Sequence, residues 1–183
     1  MPGLETSPTT LTEAPPAKRW QAPLLALLSA RRAGSLPLHC LVAWPLALLP
    51  SAVFVGLARG LMHLLGVDPT PFAAPDREAS IKEFFGMVVF APLVETVLLG
   101  GLLWLLSLMS NRPLFVAVAA SVLWGALHGA FGLLWFFGTF WSFYIFSCSY
   151  LAWRPQAWWK AFTAAALPHA LINATAFALL SLG

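Results

Sequence analysis

Apolar residues fill five long stretches of the chain, at roughly 37–58, 83–109, 113–132, 133–152 and 157–182, with short polar breaks between them. Each is close to the ~20 residues needed to cross a ~30 Å hydrocarbon core. Helices pair all their own backbone groups inside lipid, so the pattern predicts an all-α, polytopic transmembrane bundle of about five spans. A further apolar stretch at 20–30, "WQAPLLALLSA", runs into Arg31-Arg32 and is too short to span. It reads as an N-terminal interfacial helix. Residues 1–19 are polar and rich in Pro and Thr, and are expected to form a disordered cytoplasmic tail with no cleavable signal peptide. The expected organisation is that tail followed by one membrane-embedded helical domain over 20–183.

Composition sharpens this. Of 183 residues, 60% are hydrophobic and only 9% charged, against about 25% charged in a soluble domain. A soluble enzyme is excluded, and the lipid bilayer is the first partner. The net charge of +3 comes from scattered basic residues flanking the apolar runs, so no nucleic-acid partner is implied. Lys18, Arg19, Arg31 and Arg32 precede the first span, Arg112 lies between the second and third, and Arg154 and Lys160 lie between the fourth and fifth. The positive-inside rule puts the N-terminus in the cytoplasm and the C-terminus outside, with a bacterial inner (plasma) membrane as the expected location. The 59–82 stretch is long and Pro-rich, and mixes three basic with three acidic residues; it is a lid or a connector. Cys40 and Cys148 lie in or beside spans and read as small buried residues, not as a disulfide framework.

Ionisable side chains within the spans are few: Glu95 in the second, His128 in the third and His169 in the fifth, with His39 and His63 at the ends of the first. At ~1.5 Å per residue, Glu95 is roughly 18 Å from the outer end of its span, and His128 and His169 are about 21 and 18 Å from the inner ends of theirs. Three helices therefore bring one titratable group each to a common depth. A charge at mid-bilayer costs about 2.5–3.5 kcal/mol even on lenient scales, so such residues mark a functional site by default. The competing reading is structural: a protonated Glu95 donating to a His or Asn on a neighbouring helix. His169 and Asn173 are four apart and share a helix face. Pro168 should kink that helix. Gly125 and Gly129 flank His128 at a spacing that permits close helix approach.

Two chemistries fit this set. A buried carboxylate can act as general base on a water that attacks a peptide carbonyl, with histidine and amide donors for the oxyanion. Alternatively Glu95, His128 and His169 could be three protein ligands of a catalytic zinc with an open position for water, assembled across helices since no H-E-x-x-H motif is present.

The same residues carry a resemblance. "ETVLLG" from Glu95 to Gly100, "WGALH" from Trp124 to His128 and "HALIN" from His169 to Asn173 stand in the order of the Glu-Glu-x-x-x-Arg, Phe-x-x-x-His and His-x-x-x-Asn motifs. The chain resembles the CPBP family of intramembrane proteases, also called the CAAX-protease and bacteriocin-processing (Abi) family, with 83–182 as the protease-like core. Thr96 stands where the family has a second Glu, Gly100 where it has Arg, and Trp124 where it has Phe. The resemblance implies a glutamic-type endopeptidase. Glu95 and His128 would activate water, His169 and Asn173 would form the oxyanion hole, and Trp124 and Thr96 would line the substrate pocket. It implies a membrane-anchored protein or peptide as substrate, as in the processing of sorting tails or bacteriocin leaders, and no cofactor on the glutamic reading. Two rivals stand beside it: a catalytically degenerate scaffold or immunity protein that keeps the cluster for packing, and a proton-coupled transporter, which the absence of a visible repeat disfavours.

Overall fold

The computed structural model describes residues 35–182. The expected tail and the 20–30 interfacial segment lie outside the described residues. Among the described residues there is no strand, and five helices make the fold: α1 Leu36–Leu64, α2 Ile81–Met109, α3 Pro113–Gly129, α4 Leu133–Trp153 and α5 Trp158–Leu180. By length and composition α1, α2 and α5 can each cross a membrane, and α3 is a shorter apolar helix. The protein is an all-helical membrane bundle.

α4 is the most enclosed helix. Its ten buried residues include Ser142, Ser147 and Ser149 beside Phe143, Ile145, Phe146 and Trp153. It packs against α1, α3 and α5, and those helices meet it with small faces. Ala43 and Ala47 of α1, Ala117 and Ala120 of α3, and Ala161, Ala164 and Ala165 of α5 are all fully buried. Bulky residues on the central helix and alanines around it let the axes approach closely, which is how helices associate where lipid supplies no hydrophobic drive. Large apolar side chains such as Leu57, Trp104 and Leu108 point outward, as a lipid-facing surface requires. Gly125 and Gly129 do make room, but for rings: a Cβ at either would press on Phe136 or Phe140 of α4, which stack 5.7 Å apart.

Two helix ends differ from the expected spans. α1 continues past 58 to Leu64 because its stop signal lies further on. Gly66 adopts φ 69°, its N–H bonds to the His63 carbonyl, and the Val67 N–H bonds to the Met62 carbonyl. These two bonds form a Schellman cap. α3 stops at Gly129, where Phe131 and Gly132 N–H groups bond back to His128 and Gly129 and close a turn. His128 therefore occupies the last turn of a 17-residue helix.

α1 contains Pro45 and Pro50. Pro50 has no N–H, so the Leu46 carbonyl loses its helical donor. The indole N–H of Trp141 on α4 donates to that carbonyl at 2.8 Å. Beside it Ser51 and Ser142 share a buried hydrogen bond of 2.8 Å. The helix break thus becomes an interhelical tie.

Candidate active site

Glu95 lies midway along α2, His128 in the last turn of α3 and His169 midway along α5. Their side chains converge. One carboxylate oxygen, Glu95 Oε2, lies 3.9 Å from His128 Nε2 and 3.9 Å from His169 Nε2. The indole Nε1 of Trp124 donates to the same oxygen at 3.3 Å. The Glu95 side chain keeps 24% of its exposure, so the cluster is open on one side.

The surroundings fix each ring. His128 Nδ1 lies 3.0 Å from the Trp124 carbonyl, one turn back on α3. A carbonyl only accepts, so Nδ1 carries the hydrogen and the Nε2 of a neutral His128 presents its lone pair to Glu95. His169 is 6% exposed, with its ring stacked on Phe146 at 5.0 Å and edge-on to Phe143 at 5.4 Å. Phe143 also stacks under Trp124 at 5.1 Å. The aromatic face of α4 is thus the platform on which the groups from α3 and α5 are aimed at α2.

Trp124 and Thr96, expected to line a substrate pocket, take other places. Trp124 is 8% exposed and serves as a hydrogen-bond donor to Glu95. Thr96 is 2% exposed and enclosed in the packed interior.

Asn173 also departs from the expected arrangement. Its Nδ2 donates at 2.8 Å to the carbonyl of Met87 on α2, and no hydrogen bond joins it to Glu95, His128 or His169 among the described residues. The reason is local. Residues Phe85–Phe90 form a π-helical turn, in which the Ala91 N–H reaches back five residues to Gly86. The next residue in that register is Pro92, which has no N–H. The Met87 carbonyl is left without a helical donor, and Asn173 supplies one. The sequence signal was Pro92, three residues before Glu95.

The 59–82 stretch contributes more than its composition suggested. After α1 it makes a short 3-10 turn at Thr70–Phe72, opened by Asp68, whose carboxylate accepts the Thr70 N–H at 2.9 Å. It then runs against the α3–α4 turn so closely that a Cβ at Gly132 would collide with the Ala73 carbonyl. Further on, Arg77 pairs with Glu83 at the start of α2 and places its guanidinium over the ring of Trp135, 5.9 Å from the centroid. Trp135 in turn sets its ring edge-on to His128 at 4.8 Å. Neither Arg77 nor Trp135 was legible as a site residue, because a charge between two acids in a loop and an aromatic in an aromatic-rich span carry no pattern of their own.

Among the described residues no group of three His, Cys, Asp or Glu is arranged to hold a metal ion. Comparison with protein-family models, with curated proteins and with solved structures finds no match.

Proposed function

We propose that this chain is an intramembrane endopeptidase of the CPBP type, set in an inner membrane with its N-terminal side cytoplasmic. It hydrolyses a peptide bond of a membrane-anchored protein. The observation that carries the reading is the meeting of Glu95 Oε2 with the Nε2 atoms of His128 and His169, each at 3.9 Å. A single water bridges a separation of this size. Glu95 and neutral His128 are both acceptors, so that water donates one hydrogen to each and turns an oxygen lone pair outward.

In the step so arranged, the water oxygen bonds to the scissile carbonyl carbon while its proton passes to Glu95. The carbonyl π electrons move onto oxygen, where His169 Nε2–H donates to the developing charge. The proton on Glu95 then passes to the leaving nitrogen as the C–N bond breaks, and the carboxylate is restored. Trp124 holds Oε2 throughout. An apolar groove lies between α2 and α5, the helices that carry Glu95 and His169, and is lined by Val88, Pro92, Leu93, Phe162, Ala166 and Ala170. It supports a hydrophobic substrate segment that arrives from the lipid.

The test compares cells expressing the wild type and Glu95→Gln, with membrane proteomes searched for new terminal peptides, with and without a zinc chelator. Cleavages present only with the wild type and unaffected by chelation are the expected result. Loss on chelation would move the chemistry to a metal. Identical proteomes from two correctly inserted proteins would sink the protease reading in favour of a scaffold or immunity role.

A further inference from the structure

We infer that Arg77 is a positioning residue for the proposed hydrolysis, acting through Trp135 to hold the His128 imidazole. The inference rests on the endopeptidase reading for its kinetic consequence, but its structural core stands on geometry alone. His128 ends α3, where only one side of its ring is restrained by its own helix, through the Nδ1 hydrogen bond to Trp124. A ring in the last turn of a helix needs a second restraint if Nε2 is to keep facing Glu95. Two rings of α4 provide it: Phe143, 5.8 Å away and tilted by 40°, and Trp135, nearer at 4.8 Å and edge-on at 83°.

Trp135 belongs to the first turn of α4, near the Gly132 break, and is itself half-buried. What fixes its plane is the guanidinium over its face, 5.9 Å from the centroid. A planar cation over an indole is the favourable partner for the ring's negative face. Arg77 in turn is paired with Glu83, and the loop that carries it is pressed onto Gly132 at Ala73. The chain of restraint runs from the loop through Arg77 and Trp135 to the His128 imidazole that helps orient the water. Two contacts in series, 5.9 and 4.8 Å, link the guanidinium to the imidazole through the Trp135 ring. Its neighbours in charge are Asp76 and Glu78 along the loop and Lys82 and Glu83 at the start of α2. Of these only Glu83 engages it.

The test has two readouts. The first is the NMR signal of the His128 ring in the full-length protein in nanodiscs, distinguished from the other three histidines by single substitutions. Arg77→Gln and Trp135→Leu should shift and broaden it alike, while Lys82→Gln, which removes a neighbouring positive charge, should leave it in place. The second uses a peptide spanning a Glu95-dependent cleavage site in proteoliposomes. Arg77→Gln and Trp135→Leu should each lower kcat about three- to thirtyfold with KM little changed. The double variant should be no worse than the lower single, and Arg77→Lys should recover most of the loss. Multiplicative losses, or an Arg77→Gln spectrum matching Lys82→Gln, would overturn the inference. If no cleavage depends on Glu95, the endopeptidase reading fails, and the His128 signal still decides whether Arg77 holds that ring.

Discussion

The bond between Asn173 and the Met87 carbonyl makes a prediction that separates two roles for one residue. As an oxyanion donor, Asn173 would matter for rate and hardly for stability. As the donor that completes the π-turn of α2, it should matter for both, and its importance should depend on Pro92. Asn173→Leu removes a 2.8 Å hydrogen bond and strands a carbonyl whose helical partner is a proline. An unpaired, partly buried carbonyl costs about 1–3 kcal/mol, and lipid offers no water to replace the donor. The expected loss of stability is therefore about 1–3 kcal/mol. Pro92→Ala restores an N–H in the register that reaches Met87. In that background Asn173→Leu should cost at least about 1 kcal/mol less, a coupling that a double-mutant cycle isolates from the cavity left by the buried proline ring. The assay is reversible unfolding of the four proteins in mixed micelles, with hydrogen exchange followed at 84–91. Faster exchange confined to that turn is expected for Asn173→Leu. The reasoning is refuted if Asn173→Leu is as stable as the wild type, or if it costs the same with Ala at 92. Loss of activity alone would return Asn173 to the oxyanion.

Three further outcomes follow from the packing and the loop. Gly132→Ala places a methyl against the Ala73 carbonyl; the loop must shift, and hydrogen exchange over 70–80 should rise with an overpacking cost of about 1–3 kcal/mol. Gly100→Ala puts a Cβ 2.8 Å from the Tyr150 hydroxyl oxygen, on a side chain that is 6% exposed and has no room to retreat. It should destabilise by about 1–3 kcal/mol in micelle unfolding, with partial recovery in Tyr150→Phe, where the nearest atom becomes the ring carbon. The Thr70 N–H holds the Asp68 carboxyl below the usual carboxylate range. With the folded value depressed, the turn's stabilisation is present at neutral pH, falls away as pH drops through the folded value, and is absent below it. An NMR titration of the Thr70 amide should show its midpoint below the ordinary aspartate value, and an unshifted midpoint would refute the turn.

Helix existence was legible because lipid leaves so few options: a run of about 20 apolar residues has only one way to satisfy its backbone. The juxtaposition of Glu95, His128 and His169 was legible for a related reason, since alternating spans convert distance from a span end into depth. What escaped was everything set by contacts between distant residues. The stop of α1 at Leu64 depends on the φ of Gly66, and Gly56, Arg59 and Gly60 earlier in the run were equally plausible ends. The place of Trp124 depends on which way an indole turns, and it turned to the carboxylate. The reach of Asn173 to α2 needed a π-turn that no apolar period announces. Arg77 needed the fold of a loop that carries no periodicity at all.

On the proposed endopeptidase reading, the departures from the protease motif are intelligible in the same physical terms. An arginine at 100 would have to pass through Tyr150, whose hydroxyl already fills the space next to the Gly100 Cα. A glutamate at 96 would put a second carboxylate where Thr96 sits 2% exposed, with no basic residue from 83 to 109 of its helix to meet it. Charge lost from one position without the other would leave an unpaired ion in lipid, so the two replacements belong together. What they remove from the support of Glu95 is supplied by neutral donors and by rings: the Trp124 N–H on Oε2, and the Phe143 platform beneath Trp124 and beside His169. The prolines complete this economy of charge. Pro50 and Pro92 each free a carbonyl, and each carbonyl is taken by a neutral side chain of another helix, Trp141 in one case and Asn173 in the other. Interhelical ties made this way need no ion inside the membrane. That leaves Glu95, among the described residues, as the single acidic group midway along a membrane helix, with His128 and His169 turned to it, and it is the residue on which the proposed hydrolysis rests.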